Sequence, residues 1–136
     1  MIFRARVAQR GWTRILAAGV LMYAYAAAFV VVDLLARFGQ ATVLRLCGIP
    51  PVDRRRYIAL DRGRVPPLTP FDGFNCNYCG YANGVLAWAR EIVRRVEQYW
   101  CPVRHAAPLD GDVDPATYAP AGDRAALDRW LEPPRP

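Results

Sequence analysis

The chain has no lysine and one histidine, and only four of its 136 residues are cysteine; all 18 basic residues are arginine. The lone histidine, His105, lies just beyond a clustered cysteine, which removes most catalytic dyads that rely on an imidazole base. No glycine-rich phosphate loop and no dinucleotide fingerprint occurs, so nucleotide chemistry has no motif to rest on. Acidic residues are scarce where arginine is dense. Residues 1–64 carry 11 Arg against 3 Asp, residues 65–105 are near neutral, and residues 106–136 are net negative. Such a basic first half points to anionic lipid headgroups as partner. Nucleic acid is not the expected partner.

Most of the apolar content is concentrated in one run. Residues 15–32 read ILAAGVLMYAYAAAFVVV, 18 residues without a charge, the short end of a membrane-span length. Residues 1–14 form its basic flank, with Arg4, Arg6, Arg10 and Arg14 and no acid. No small-residue cleavage pattern lies beyond it, so the run is read as an uncleaved anchor and not a signal peptide. Residues 34–49 are apolar but interrupted by Arg37, Gln40 and Arg45. They either continue the helix into the headgroup zone or turn back as a re-entrant segment, ending at Pro50-Pro51. The anchor region is therefore 15–49. Asp33 sits where the span ends, a position that at an interface carries no functional weight. Tyr23 and Tyr25 are read as contacts with a partner helix, and Trp12 as an interfacial aromatic.

The arginine count on the N-terminal flank favours a cytoplasmic N-terminus. A single span would export the cysteine-bearing segment, whereas a hairpin or in-plane helix keeps every arginine and the thiols on the cytoplasmic side, where reduced cysteines belong. The second arrangement is the expectation, with the domain on the cytoplasmic side of an inner membrane.

Residues 50–106 hold the chemistry. Cys76 and Cys79 make a C-x2-C; Cys101 and His105 make a C-x3-H 22 residues later. Three thiolates and an imidazole are the ligand set of a closed tetrahedral zinc site, and a folded domain of under about 60 residues usually needs such a staple. Three clustered thiols cannot pair completely as disulfides. A [2Fe–2S] cluster is the alternative occupant, since the same ligand types can hold it. The domain is expected to be mainly α with a small β component. Residues 57–60 are β-prone, residues 65–72 should be extended, residues 76–84 form a metal knuckle with Gly80 and Gly84, and residues 85–99 form an amphipathic helix capped by Asn83. That helix would run about 22 Å, so the two ligand pairs need a return segment or a second copy to meet. The function expected is a membrane-anchored structural or accessory protein, not an enzyme, docking on a larger membrane assembly or on itself. An iron–sulfur electron carrier, or less so a thiol- or metal-dependent enzyme, is the alternative.

The words Arg55-Arg56-Tyr57-Ile58, Phe74-Asn75-Cys76, Tyr78-Cys79-Gly80-Tyr81-Ala82-Asn83-Gly84 and Glu97-Gln98-Tyr99-Trp100-Cys101-Pro102, ending in His105-Ala106, resemble a family of small, uncharacterised bacterial membrane proteins. The resemblance implies an apolar N-terminal region and the cysteine domain, and no activity. Residues 107–136 depart from that pattern. They are rich in proline and aspartate and read mostly as a disordered tail, with a short helix at 124–131 capped by Asp123.

Overall fold

The computed structural model of the chain describes residues 2–64, 66, 68–107 and 118–132. It is mainly helical, with α1 (Ile2–Arg10), α2 (Trp12–Gly39), α3 (Pro70–Trp100) and α4 (Arg124–Leu131). The chain divides into two compact units, Met1–Ile92 and Val93–Pro136, with the boundary inside α3.

In the first unit, α2 is Ala-, Leu- and Val-rich and continues through a π turn, Gln40–Leu44. The apolar helix then covers Trp12–Leu44, 33 residues, long and apolar enough to cross a membrane. The re-entrant alternative is not adopted: the helix continues. It stops at Gly48, whose φ of 65° places it in the left-handed region. There the Ile49 amide donates to the Leu44 carbonyl (2.8 Å) and the Gly48 amide to the Arg45 carbonyl (3.2 Å). This pairing satisfies the last carbonyls and needs a residue without Cβ. Gly11, with φ 84°, separates α1 from α2.

From Gly48 the chain returns as a strap, residues 49–64, with short 3-10 turns at Arg54–Arg56 and Arg62–Arg64. Thr69 directly precedes α3. The Thr69 hydroxyl accepts from the Asp72 amide (3.2 Å) and donates to the Asp72 carboxylate (2.7 Å), and Pro70 occupies the first helical position. Both are helix-start signals. Asp72 also accepts from the amides of Ile2 (3.2 Å) and Phe3 (3.0 Å), placing a carboxylate against the donor-rich start of α1.

Two faces of α3 are occupied. The first meets α2 through aromatic side chains. The Tyr78 hydroxyl donates to the Met22 carbonyl (2.6 Å), Tyr23 donates to Asn75, and the Tyr23 ring packs on Phe74 and Tyr78. Phe29 meets Tyr78 and Asp33 meets Tyr81. The paired positions advance together, so α3 runs in the same direction as α2. The second face, Gly73, Asn77, Gly80 and Gly84, receives the strap running the opposite way. A Cβ on Gly84 would lie 2.5 Å from the Tyr57 carbonyl oxygen and 2.8 Å from the Ile58 side chain, and one on Gly73 would lie 2.9 Å from the Gly63 Cα. The glycines are there for close approach. Between the faces lie the buried side chains of the unit, Val85 (0% exposed), Trp88 (1%) and Ile92, with Leu44 and Val52 from the other segments.

Several expectations are corrected. Residues 76–84 are helical and not a knuckle, because the helix starts at Pro70. Asn83 therefore caps nothing; its amide donates to the Cys79 carbonyl (2.9 Å). Among the described residues no strand forms, and the only β pairing is an isolated bridge between Val103 and Ala119. The 57–60 run forms no strand: Tyr57 closes the 3-10 turn, and the residues after it lie against α3. Neighbours of the run bond to side chains instead: the Val52 amide donates to Gln40 (2.9 Å) and the Arg62 amide to Asn77 (3.1 Å). Val65 and Pro67, in the stretch expected to be extended, lie outside the described residues, and residues 70–72 are the first turn of α3. The buried stripe of α3 runs through Val85, Trp88 and Ile92 at steps of three and four, while Val93 and Tyr99 are exposed.

In the second unit the tail folds back. The Arg104 amide donates to the Ala119 carbonyl (2.9 Å) and the Ala119 amide to the Pro102 carbonyl (2.7 Å). Tyr118 is buried, with its hydroxyl 3.3 Å from the Glu97 carboxylate. The expected helix at 124–131 is present, and Asp123 accepts from the Ala126 amide (2.9 Å). Residues 118–132 thus have defined structure; residues 108–117 and 133–136, which the disorder reading also covers, lie outside the described residues.

The strap contact generates a test. Gly84→Ala gains helix propensity but collides with the strap backbone. It is expected to lower stability by about 1–3 kcal/mol, the usual cost of overpacking, in denaturant titrations of micelle-solubilised protein. Gly19→Ala, in α2 with nothing within 4 Å of its Cβ, should stabilise by up to about 1 kcal/mol.

Candidate functional site

The polar centre of the first unit is Asp33. It projects from α2 with only 6% of its surface exposed, too buried for an isolated carboxylate to remain charged. Four donors compensate. Arg54 from the strap donates through Nε to Oδ1 (3.1 Å) and through a terminal nitrogen to Oδ2 (2.8 Å), a two-pronged pair. Arg37, one turn along α2, donates to Oδ1 (3.1 Å). The Tyr81 hydroxyl from α3 donates to Oδ2 (3.0 Å). Burial, then this hydrogen bond and the charge of Asp33, push the Tyr81 hydroxyl above its ordinary value, so it stays a donor at neutral pH. The Arg54 guanidinium also lies 5.9 Å from the centre of the Trp88 ring, and the Trp88 indole donates to the Val52 carbonyl (3.2 Å). One carboxylate thereby ties α2, the strap and α3 together, with a planar fork whose geometry arginine supplies and lysine does not.

Local sequence explains each placement. Asp33 comes directly after the apolar run, where a helix can carry it inward. Arg54 is fixed by the 3-10 turn at Arg54–Arg56, which Asp53 caps by accepting from the Arg55 amide (3.0 Å). Tyr81 lies on the α2-facing side of α3, one helical turn beyond Tyr78.

The thiols lie elsewhere. Cys76 and Cys79 are three residues apart on α3; Cys79 is exposed and shares a cleft with Tyr57, Ala59 and Arg62 of the strap, Cys76 is half-buried, and both are free. Cys101 comes after the last residue of α3 and is exposed, and His105 is exposed in the segment that pairs with the tail. Among the described residues no three His, Cys, Asp or Glu side chains are grouped as metal ligands. Cys76 and Cys79 belong to the first unit, Cys101 and His105 to the second. Cys76 also borders an apolar groove of about 960 Å³ between α1, the start of α2 and the start of α3, lined by Phe3, Trp12, Ile15, Leu16 and Phe71.

Comparison of the chain with protein-family models, with curated proteins and with solved structures finds no match in any of the three. The class it belongs to is set by its own geometry: a helical protein with one apolar helix of membrane-spanning length and a polar lock at that helix's flank.

Asp33 and Tyr81 are the residues that sequence reasoning misses. The signal is a charge at the edge of an otherwise uncharged run, together with Arg54 and a tyrosine pair at helical spacing. Asp33→Asn keeps the shape but leaves two guanidiniums facing a neutral amide. It should cost about 3 kcal/mol, the low end for breaking a buried pair, because Arg54 keeps some solvent. Tyr81→Phe should cost about 1 kcal/mol, one hydrogen bond. Denaturant titration monitored by near-ultraviolet circular dichroism checks both, and equal losses from the two variants would count against an ion-pair lock.

Proposed function

We propose that the protein is a membrane-anchored accessory protein that presents α3 to a larger membrane assembly or to a second copy of itself, with the domain on the cytoplasmic side. The observation that carries this reading is the surface of α2. None of its most apolar 18-residue window is buried within the chain, and Leu16, Val20, Val31, Leu35 and Phe38 are all exposed. An exposed apolar surface of that extent is unstable in water and marks contact with lipid or protein. Phe71, Phe74 and Leu86 add exposed apolar side chains on α3, which suits docking.

Cys76 and Cys79 supply two ligands on adjacent turns of one helix, half of a tetrahedral soft-metal site. Cys101 and His105 of another copy, or ligands from a partner, would complete it. Zinc is the first candidate and a [2Fe–2S] cluster the second.

Two measurements test the reading. The full chain should stay with the membrane fraction through carbonate and high-salt washes; release into the soluble fraction would defeat the anchoring. Protein purified without oxygen should carry zinc that is lost in the Cys76→Ser/Cys79→Ser double variant while the helical circular dichroism stays unchanged. Visible charge-transfer bands would replace zinc with the cluster, and protein free of both metals would remove the metal from the proposal.

A further inference from the structure

The strap decides how α2 sits in the membrane. It lies alongside α2 from Gln40, which meets the Val52 amide, past Asp33, which holds Arg54, to the level of Met22 and Tyr23. There Tyr78 and Asn75 of α3 meet α2, and the neighbouring Asn77 holds the Arg62 amide. Eighteen residues of helix separate Met22 from Gln40, about 27 Å, nearly the depth of a bilayer's hydrocarbon. Along that depth Asp53, Arg55, Arg56, Asp61, Arg62 and Arg64 are all exposed.

If α2 stood along the membrane normal, no choice of span would avoid these charges. A span placed toward the N-terminus of α2 frees Arg55 and Arg56 but keeps Asp61, Arg62 and Arg64 at hydrocarbon depth. A span placed toward its C-terminus does the reverse and takes in the Asp33 lock. Exposed charges at that depth are strongly disfavoured. The arginines flanking α2 agree. Arg4 and Arg10 precede it, Arg14 lies in its first turn, and all three are exposed; Arg37 and Arg45 lie at its other end, also exposed. A spanning helix would put one of these basic groups on the translocated side, against the usual bias.

We infer that α2 lies in the plane of the membrane, its exposed apolar arc sunk into the acyl chains of one leaflet of an anionic phospholipid bilayer, with the strap and α3 on the water side. Helices that lie in the interface normally supply their own polar face. Here α3 and the strap replace it, covering the seam Met22, Phe29, Asp33 and Gln40, all half-buried or buried. Every arginine of residues 1–64 then sits on one surface of the membrane, and those at the two ends of α2 lie at headgroup depth, where anionic lipids attract them.

The inference rests on the membrane attachment proposed above. Because α2 and α3 run in the same direction, their amide transitions add, and the full chain reconstituted in phosphatidylglycerol-containing bilayers should give polarised infrared dichroism with helix axes parallel to the membrane plane. Axes along the normal overturn it. In sealed vesicles, Ala8→Cys in α1 and Leu60→Cys in the strap should both react with an impermeant maleimide from the same side, read peptide by peptide. Reaction from opposite sides, or a silent Leu60→Cys, overturns it also. Vesicle binding should weaken at least tenfold when phosphatidylcholine replaces phosphatidylglycerol, and undiminished binding removes the charge argument. Failure to bind any vesicle fells the membrane attachment itself, a result distinct from binding in the wrong orientation.

Discussion

A single buried carboxylate holds the first unit in register. Asp33 can be buried only because Arg54 reaches it from the strap in a two-pronged pair and Tyr81 reaches it from α3. Arg37 alone would not require a fold, since it lies one turn away on the same helix. Arg54 and Tyr81 do, because they come from segments 21 and 48 residues distant. A burial of charge this deep is weak evidence of stability and better evidence of specificity. Without the strap and α3 the carboxylate would keep Arg37 alone of its donors. The aromatic contacts between α2 and α3 tolerate slippage; the ion pair does not.

That constraint explains why the strap can serve as core without a sheet. The strap has no strand partner, so its backbone groups need other acceptors and donors. Gln40, Asn77 and the Trp88 indole supply them by side chain. The glycine face of α3 lets the strap lie close enough for those bonds to form. Polar residues that look ordinary on a helix are therefore the functional equivalents of a neighbouring strand, and no buried side-chain nitrogen or oxygen among the described residues lacks a partner.

How much can be read in the sequence depends on which interactions are local. The apolar helix is visible because eighteen uncharged residues need no tertiary information to be recognised. Helix 124–131 with its Asp123 cap is visible for the same reason: the cap lies three residues from the amide it binds. The start of α3 is equally local. Thr69-Pro70-Phe71-Asp72 carries a capping pattern and an N1 proline, but the prolines nearby suggest an extended run, and Gly80 and Gly84 suggest a turn. Those glycines answer to the strap, contacts 21 to 27 residues away in sequence that periodicity cannot report. In the tail, prolines and aspartates dominate the count, while the described residues that bury, Tyr118, Ala119 and Ala126, are too few to register. The Cys76, Cys79, Cys101 and His105 set is legible as chemistry but not as geometry, since spacing along a chain does not say whether the intervening residues turn back or run on as helix.

The helical continuity of α3 and the charge of the strap bear on the same question. A domain stapled by a metal in its own loop would not need α2, and α2 could then be a plain tether. Instead the strap and α3 are built onto α2, through Asp33, Tyr23 and Met22, so the helix proposed as anchor is part of the domain's core. A helix that is at once anchor and core must satisfy lipid on one arc and a polar strap on another. Standing upright it would have to do so at the same depth; lying flat it separates the two demands into lipid below and water above. On the orientation inferred above, the exposed Cys79 thiol, at the rim of the cleft between α3 and the strap, lies on the aqueous side.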